Sequence, residues 1–193
     1  MLKKEDLKNI TISVNRCKKC DLYKTRNKPV VGEGSLDSDI LFIGEAPGHN
    51  EDISGKPFVG RAGKIFDELL GSIKLKRNDV YITNILKCRT QNNRNPLKTE
   101  IEACTEYLTD EINIIKPKII VTLGNFATTF IFNKFGLENE KISKIHGKVY
   151  DVNVSYGFVK IIPLFHPAVA TYNPNKKSTL ETDFNVIRKN IMK

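Results

Sequence analysis

Four cysteines are the side chains with the most distinctive chemistry in this sequence. Cys17 and Cys20 form a C-x2-C pair, and Cys88 and Cys104 follow singly with 15 residues between them. Two soft ligands on one knuckle and two more from distant segments can close a tetrahedral zinc site or hold an iron–sulfur cubane. The second C-x2-C usual in a zinc ribbon is absent. The competing reading is four small apolar side chains in a core. It suits Cys104 but not Cys17 and Cys20, which are flanked by Lys18, Lys19 and Asp21. The start, Met1 to Ile10, carries no apolar signal segment, so the expected location is cytoplasmic and the thiols are expected to be reduced.

A second group of polar side chains gathers after apolar runs. Ile40–Ile43 leads into Gly44, Glu45, Ala46, Pro47, Gly48, His49, Asn50, Glu51 and Asp52. Val80–Ile82 leads into Thr83 and Asn84, Ile119–Leu123 into Gly124 and Asn125, and Lys160–Phe165 into His166 and Pro167. If these runs are parallel strands, their carboxyl ends converge on one rim, which is where open α/β sheets bind ligands. Asn125 taken alone is equally a helix cap. In the first loop Gly44, Gly48, Gly55, Gly60 and Gly63, with Pro47 and Pro57, specify a defined backbone path that lets main-chain N–H groups approach a ligand. Phe58 is either a stacking surface in a pocket or a prop under the loop. The loop lacks G-K-[ST] and G-x-G-x-x-G, which weakens the mononucleotide kinase and dinucleotide readings. A second loop, Lys87 to Pro96, is polar and basic around Cys88 and suits a role near the site or on a phosphate backbone.

The elements that must position these residues follow from periodicity. Leu7, Ile10, Val14 and Cys17 predict a short helix, followed by an irregular arm to Ser38. Ile65, Phe66, Leu69, Leu70 and Ile73 predict a second helix. Thr99 and Glu102 form a capping box ahead of a helix through Cys104, Leu108, Ile112 and Ile115, which stops before Pro117. Asn125–Phe132 is a further helix and Lys148–Tyr156 a weak hairpin. Pro163 marks a strand end or bulge. Ser178 and Glu181 form a second capping box before Leu180, Phe184, Ile187 and Ile191. Apolar strands alternating with amphipathic helices imply an α/β sandwich, a parallel sheet covered on both faces. The length of 193 residues suits a single domain over 1–193, with 1–38 as an arm.

Lys and Arg number 31 against 22 Asp and Glu, a formal charge of +9, which favours a polyanionic partner such as nucleic acid. A 40% apolar fraction with ten Phe excludes wholesale disorder. No apolar run approaches the ~18 residues of a membrane helix, so no membrane partner is expected.

At these residues the sequence resembles a known family, the family 4 uracil-DNA glycosylases, iron–sulfur enzymes of bacteria and archaea. Gly44–Leu70, Tyr81–Pro96 and Phe165–Ala168 resemble its three signature blocks, in order, with the C-x2-C upstream. The resemblance implies a three-layer α/β/α sandwich with a central, mostly parallel four-stranded sheet, the uracil-DNA glycosylase fold. It implies a [4Fe-4S] cluster on Cys17, Cys20, Cys88 and Cys104, structural in role. It implies excision of uracil from single- or double-stranded DNA in base excision repair. Phe58 matches the ring under the flipped base, Asn84 the base-reading amide, Glu51 the group beside C5, and His166 the donor to O2. Gly44, Glu45 and Ala46 match main-chain contacts to the base and its leaving charge, and Asn93 matches the residue associated with water activation, in a catalytic set of His166, Asn93 and Glu45. A monomer is expected, with a sliding clamp as a further candidate partner.

The chain departs from the family after the His-Pro-Ala. Ala-Leu-Leu-Arg-Asn-Pro is common there, whereas this chain has Val169-Ala170-Thr171-Tyr172-Asn173-Pro174. A smaller apolar wedge is therefore expected. The basic insert with a reactive His found in covalently trapping relatives is absent between Cys88 and Pro96, so turnover is expected. Rival readings are a glycosylase for hypoxanthine or xanthine, a non-catalytic iron–sulfur DNA-binding module, and a zinc protein.

Overall fold

A computed structural model describes residues 2–191; Met1, Met192 and Lys193, at the ends of the expected 1–193 domain, lie outside the described residues. Helix α1 (Leu2–Arg16) buries Ile10 and Val14 and delivers Cys17 at its end. The knuckle then runs through a 3-10 turn, Asp21–Lys24. The following elements, in chain order, are β1 (Glu33–Gly34), β2 (Ile40–Gly44), α2 (His49–Ser54), α3 (Arg61–Ser72), β3 (Tyr81–Asn84) and α4 (Lys98–Ile115). They continue as β4 (Ile119–Leu123), α5 (Asn125–Phe135), α6 (Ile142–Ile145), β5 (Tyr150–Val154), β6 (Gly157–Leu164), α7 (Val169–Tyr172) and α8 (Lys177–Ile191).

The sheet order is β1-β3-β2-β4-β6-β5. The inner strands β3, β2, β4 and β6 are parallel. Six strands replace the expected four because each outer parallel strand gains an antiparallel neighbour. On one side β1, inside the arm read as irregular, pairs with β3. On the other, the hairpin sought within Lys148–Tyr156 instead turns at Ser155 and Tyr156 and pairs β5 with β6. The β5 ladder reaches only Ile161, so Pro163 sits past its end and its missing N–H leaves no ladder bond unmade.

Helices cover both faces, as a buried parallel sheet requires. On one face Phe42 of β2 meets Phe66 of α3 edge-on at 5.0 Å and Phe184 of α8 stacked at 5.9 Å. On the other, Leu41, Ile43 and Ile120 pack with Leu108 and Ile112 of α4 and Ile131 and Phe132 of α5. Helix α1 lies against α4 and closes a third cluster around the cysteines. Among the described residues no helix is long and apolar enough to cross a membrane.

Both expected capping boxes are displaced. The first belongs to Glu100, whose carboxylate accepts the Leu97 N–H at 2.8 Å and both Arg94 guanidinium donors. Glu102 instead faces solvent near Lys98. Ser178 lies inside α8, and the preceding 3-10 turn is capped by Asn173, whose side-chain oxygen accepts the Asn175 N–H.

The least expected feature is a buried ion pair. Lys87 and Glu111 are 1% and 0% exposed, with Nζ and Oε2 2.5 Å apart. Lys87 also donates to Thr83 Oγ1 and to the Asn84 carbonyl, and Glu111 accepts from Thr83, Tyr81 and the Gly32 N–H. Such a pair is tolerated in the interior because its donors and acceptors are met, and losing one partner strands the other. Lys87→Met should therefore destabilise the protein by about 3–5 kcal/mol in denaturant unfolding, with part of the loss recovered by adding Glu111→Leu.

Candidate functional site

The carboxyl ends of β2, β3 and β6 open into a cleft of about 590 Å³ whose walls include Glu45, Ala46, Glu51, Phe58, Asn84, Asn93 and His166. Gly44 lies against two of these residues: a Cβ there would overlap Asn84 Oδ1 and press on the Phe58 ring. The residues matched to the glycosylase site are thus brought together. Asn125 is not among them: its Oδ1 accepts the Ile142 N–H at 3.1 Å, fastening α5 to α6.

Phe58 is buried and held in the left-handed region at φ +53°. A non-glycine residue persists there only where its surroundings over-determine it, and they do. Arg77 donates to the Pro57 and Phe58 carbonyls while its Nε donates to Asp67 at 2.6 Å. The Glu51 carboxylate accepts the Val59 and Gly60 N–H groups, each at 2.8 Å. Gly63 leaves room for the Phe58 carbonyl, which a Cβ at that position would overlap. Glu51 thus acts as a clasp for the aromatic loop as well as a wall of the cleft. Arg77, which carries no sequence motif, was invisible from the sequence.

The held ring lies 5.5 Å from the His166 imidazole at an interplanar angle of 25°. His166 Nδ1 accepts the Ala168 N–H at 3.2 Å, so the neutral ring carries its proton on Nε2. Burial pushes the His166 pKa down to about 4, against an opposing pull from the Glu51 carboxylate. The ring is therefore neutral at physiological pH and a hydrogen-bond donor through Nε2. Asn84 is buried at the end of β3, and its side-chain amide has no protein hydrogen-bond partner among the described residues. Its carbonyl oxygen and NH2 are both available to a ligand.

Glu45 is half-buried, its carboxyl has no side-chain partner among the described residues, and burial raises its pKa. Asn93 is exposed at the rim in the left-handed region, and its Oδ1 accepts Arg89 Nε at 2.8 Å. Arg89 also reaches His49 Nδ1 at 3.0 Å, joining the first and second loops. Its place in a basic loop was legible, but this bridge was not.

The four cysteines face one pocket between α1, the knuckle, the loop after β3, and α4. None is in a disulfide. Arg26 donates to Cys88 Sγ at 3.1 Å and the Lys87 N–H to Cys104 Sγ at 3.3 Å, a pattern suited to holding thiolates. Without a metal, burial raises the Cys20 and Cys88 pKa values and pushes Cys104 up to about 12. Among the described residues no three His, Cys, Asp or Glu side chains are gathered closely enough for one metal ion. The thiolates of a cubane stand further apart than those around a single ion.

Two expectations follow. Gly63→Ala should drive Phe58 off its seat and lower stability, read as a reduced unfolding midpoint with weakened ligand binding in the cleft. Because the folded pKa of His166 lies below its ordinary value of 6.5, stability is full above about pH 6.5 and is lost as pH falls toward 4. His166→Asn should flatten that part of the urea-midpoint profile.

The uracil DNA glycosylase superfamily profile matches residues 31–187. A type-4 uracil-DNA glycosylase of Archaeoglobus fulgidus is 49% identical over 95% of this chain and 92% of its own length. The type-4 enzyme of Saccharolobus solfataricus is 48% identical over 95% and 86%. That of Thermotoga maritima is 42% identical over 90% and 88%. The chain belongs to the uracil DNA glycosylase superfamily.

Proposed function

We propose, from membership of that superfamily and from the cleft, that this protein excises uracil from DNA by hydrolysing the N-glycosidic bond, leaving an abasic site for repair. The observation that carries the reading is the joint placement of Phe58, Asn84 and His166 around one opening. The base must first leave the stack, at a cost of a few kcal/mol. Phe58, rigidly clasped, offers its ring as a seat. Asn84 accepts from uracil N3–H and donates to O4; cytosine inverts both groups and would leave two polar atoms unpaired.

Bond cleavage leaves an oxocarbenium-like sugar and a uracil anion with charge on O2 and N1. The neutral His166 presents Nε2–H to O2, an oxyanion-hole contact. A tautomer fixed by the Ala168 N–H needs no reorganisation as charge develops. Main-chain N–H groups at Glu45 and Ala46, both on the cleft wall, with Gly44 beneath them, would add contacts to the base and its leaving charge. Glu51, held by the Val59 and Gly60 N–H groups, walls the C5 side against a methyl group. Glu45 is the better water-activating group of the two candidates. Its carboxylate has no partner among the described residues and a raised pKa, whereas the Asn93 carbonyl oxygen is already taken by Arg89. The four cysteines would hold a [4Fe-4S] cluster that pins the arm to the loop after β3; when bound it supplies structure to a hydrolysis that needs no electron transfer.

Single-turnover excision from a single-stranded oligonucleotide with one uracil, developed by alkaline cleavage, tests the reading. His166→Ala should slow excision roughly 10²–10³-fold without loss of folding, and Glu45→Gln should slow it more than Asn93→Ala. Folded wild-type protein that leaves uracil DNA intact while releasing hypoxanthine would replace uracil with another deaminated base. Cys88→Ala should remove the visible absorbance of anaerobically purified protein and lower its unfolding midpoint; unchanged colour would remove Cys88 as a ligand.

A further inference from the structure

The segment after His166 does not present the small apolar wedge expected from its sequence. Val169 packs against the core and Ala170 is 9% exposed, so the two apolar side chains point inward. The turn is fixed by Val169 N–H to the His166 carbonyl at 3.0 Å, Asn173 N–H to the Val169 carbonyl at 3.0 Å, and Thr171 Oγ1 to the Ala168 carbonyl at 2.7 Å. With these positions turned in, Tyr172 is turned out. It lies on the wall of the cleft at 84% exposure.

Among the described residues no interaction accounts for that ring. Of the six tyrosines it alone is exposed; Tyr81 and Tyr107 are buried and Tyr23, Tyr150 and Tyr156 half-buried. Its hydroxyl has no hydrogen-bond partner and its ring no aromatic neighbour among the described residues. A large unpartnered aromatic surface on a short, well-anchored turn, six positions after His166, suits a ligand with a flat face. Lys176 follows four residues on and Arg61 is exposed on the same cleft, so the surroundings also suit phosphate.

We propose that Tyr172 is a DNA-binding residue whose ring stacks on the base beside the flipped uridine, in place of an aliphatic wedge. The proposal rests on the glycosylase reading. A stack on one neighbouring base works on single strands and duplex alike, because every base has a π-face. It also holds the strand's step open at the point from which the uridine has left. The hydroxyl has no required role, so the contribution belongs to the ring.

The test is fluorescence anisotropy with single-stranded and duplex oligonucleotides carrying one 2′-fluorinated deoxyuridine that resists cleavage, alongside excision of the ordinary uracil oligonucleotide. Tyr172→Ala should weaken binding by roughly tenfold or more, the size of one lost stack, with an unchanged unfolding midpoint. Tyr172→Phe should bind within about twofold of wild type. The slope of affinity against salt should stay the same in both, because the ring neutralises no phosphate. Phe158→Ala is the control, since that ring is 77% exposed but lies at the opposite end of β6 from the cleft. Wild-type affinity in Tyr172→Ala, an equal loss in Tyr172→Phe, or a shallower salt slope would each overturn the proposal. If wild type binds but never excises uracil, the glycosylase reading fails while the binding comparison still decides the role of Tyr172.

Discussion

An ammonium and a carboxylate sealed from water hold this structure to a single arrangement. Neither Lys87 nor Glu111 could sit where it does alone, because the desolvation of one unpaired ion outweighs any packing gain. The pair draws in Thr83 and Asn84 from β3, Gly32 from the arm, and α4 through Glu111 itself. The N–H of Lys87 meanwhile faces Cys104 Sγ. The main chain carrying the Asn84 amide and the main chain carrying the cysteine pocket are therefore set by the same few atoms. A shift at one end cannot be absorbed without breaking a buried hydrogen bond at the other.

A second constraint works by strain. Phe58 occupies a backbone state that a free peptide would abandon, and Arg77, Glu51 and Gly63 hold it there from three directions. The ring is thereby seated before any ligand arrives, so ordering it costs the ligand nothing. His166 is preset in the same sense: the Ala168 N–H chooses its tautomer and burial chooses its charge.

Chemistry that depends on local spacing could be read from the chain directly. The C-x2-C, the polar residues ending the first, second and last apolar runs, and the Gly- and Pro-rich first loop all pointed to positions that the fold does bring together; Asn125, ending the third, fastens α5 to α6 instead. What could not be read depends on partners far along the chain. Lys87 looked like one more cation in a basic loop, yet it is among the most buried side chains. Its only sequence signal is Glu111, a carboxylate on the apolar stripe of Leu108, Ile112 and Ile115. The strand β1 is too short for a periodicity to show, and β5 exists as a strand only because β6 lies beside it. The displaced caps have the same origin: Arg94 draws Glu100 inward, and no rule of local spacing includes Arg94. The wedge was misplaced because identity of sequence position was read as identity of facing, and the turn after His166 faces Val169 and Ala170 inward.

The packing of α1 against α4 also sets an order of events while the chain is being made. Cys17 and Cys20 leave the ribosome well before the other two cysteines, but the wall that completes their pocket is the helix bearing Cys104, and the loop bearing Cys88 comes only shortly before it. Until α4 has emerged, the knuckle is two adjacent thiols on an undocked arm, open to oxidation or to any soft metal that passes. Maturation of the four-thiol pocket thus waits until α4 has emerged, and a cell that makes this protein must keep the nascent arm reduced until the segment bearing Cys104 follows it.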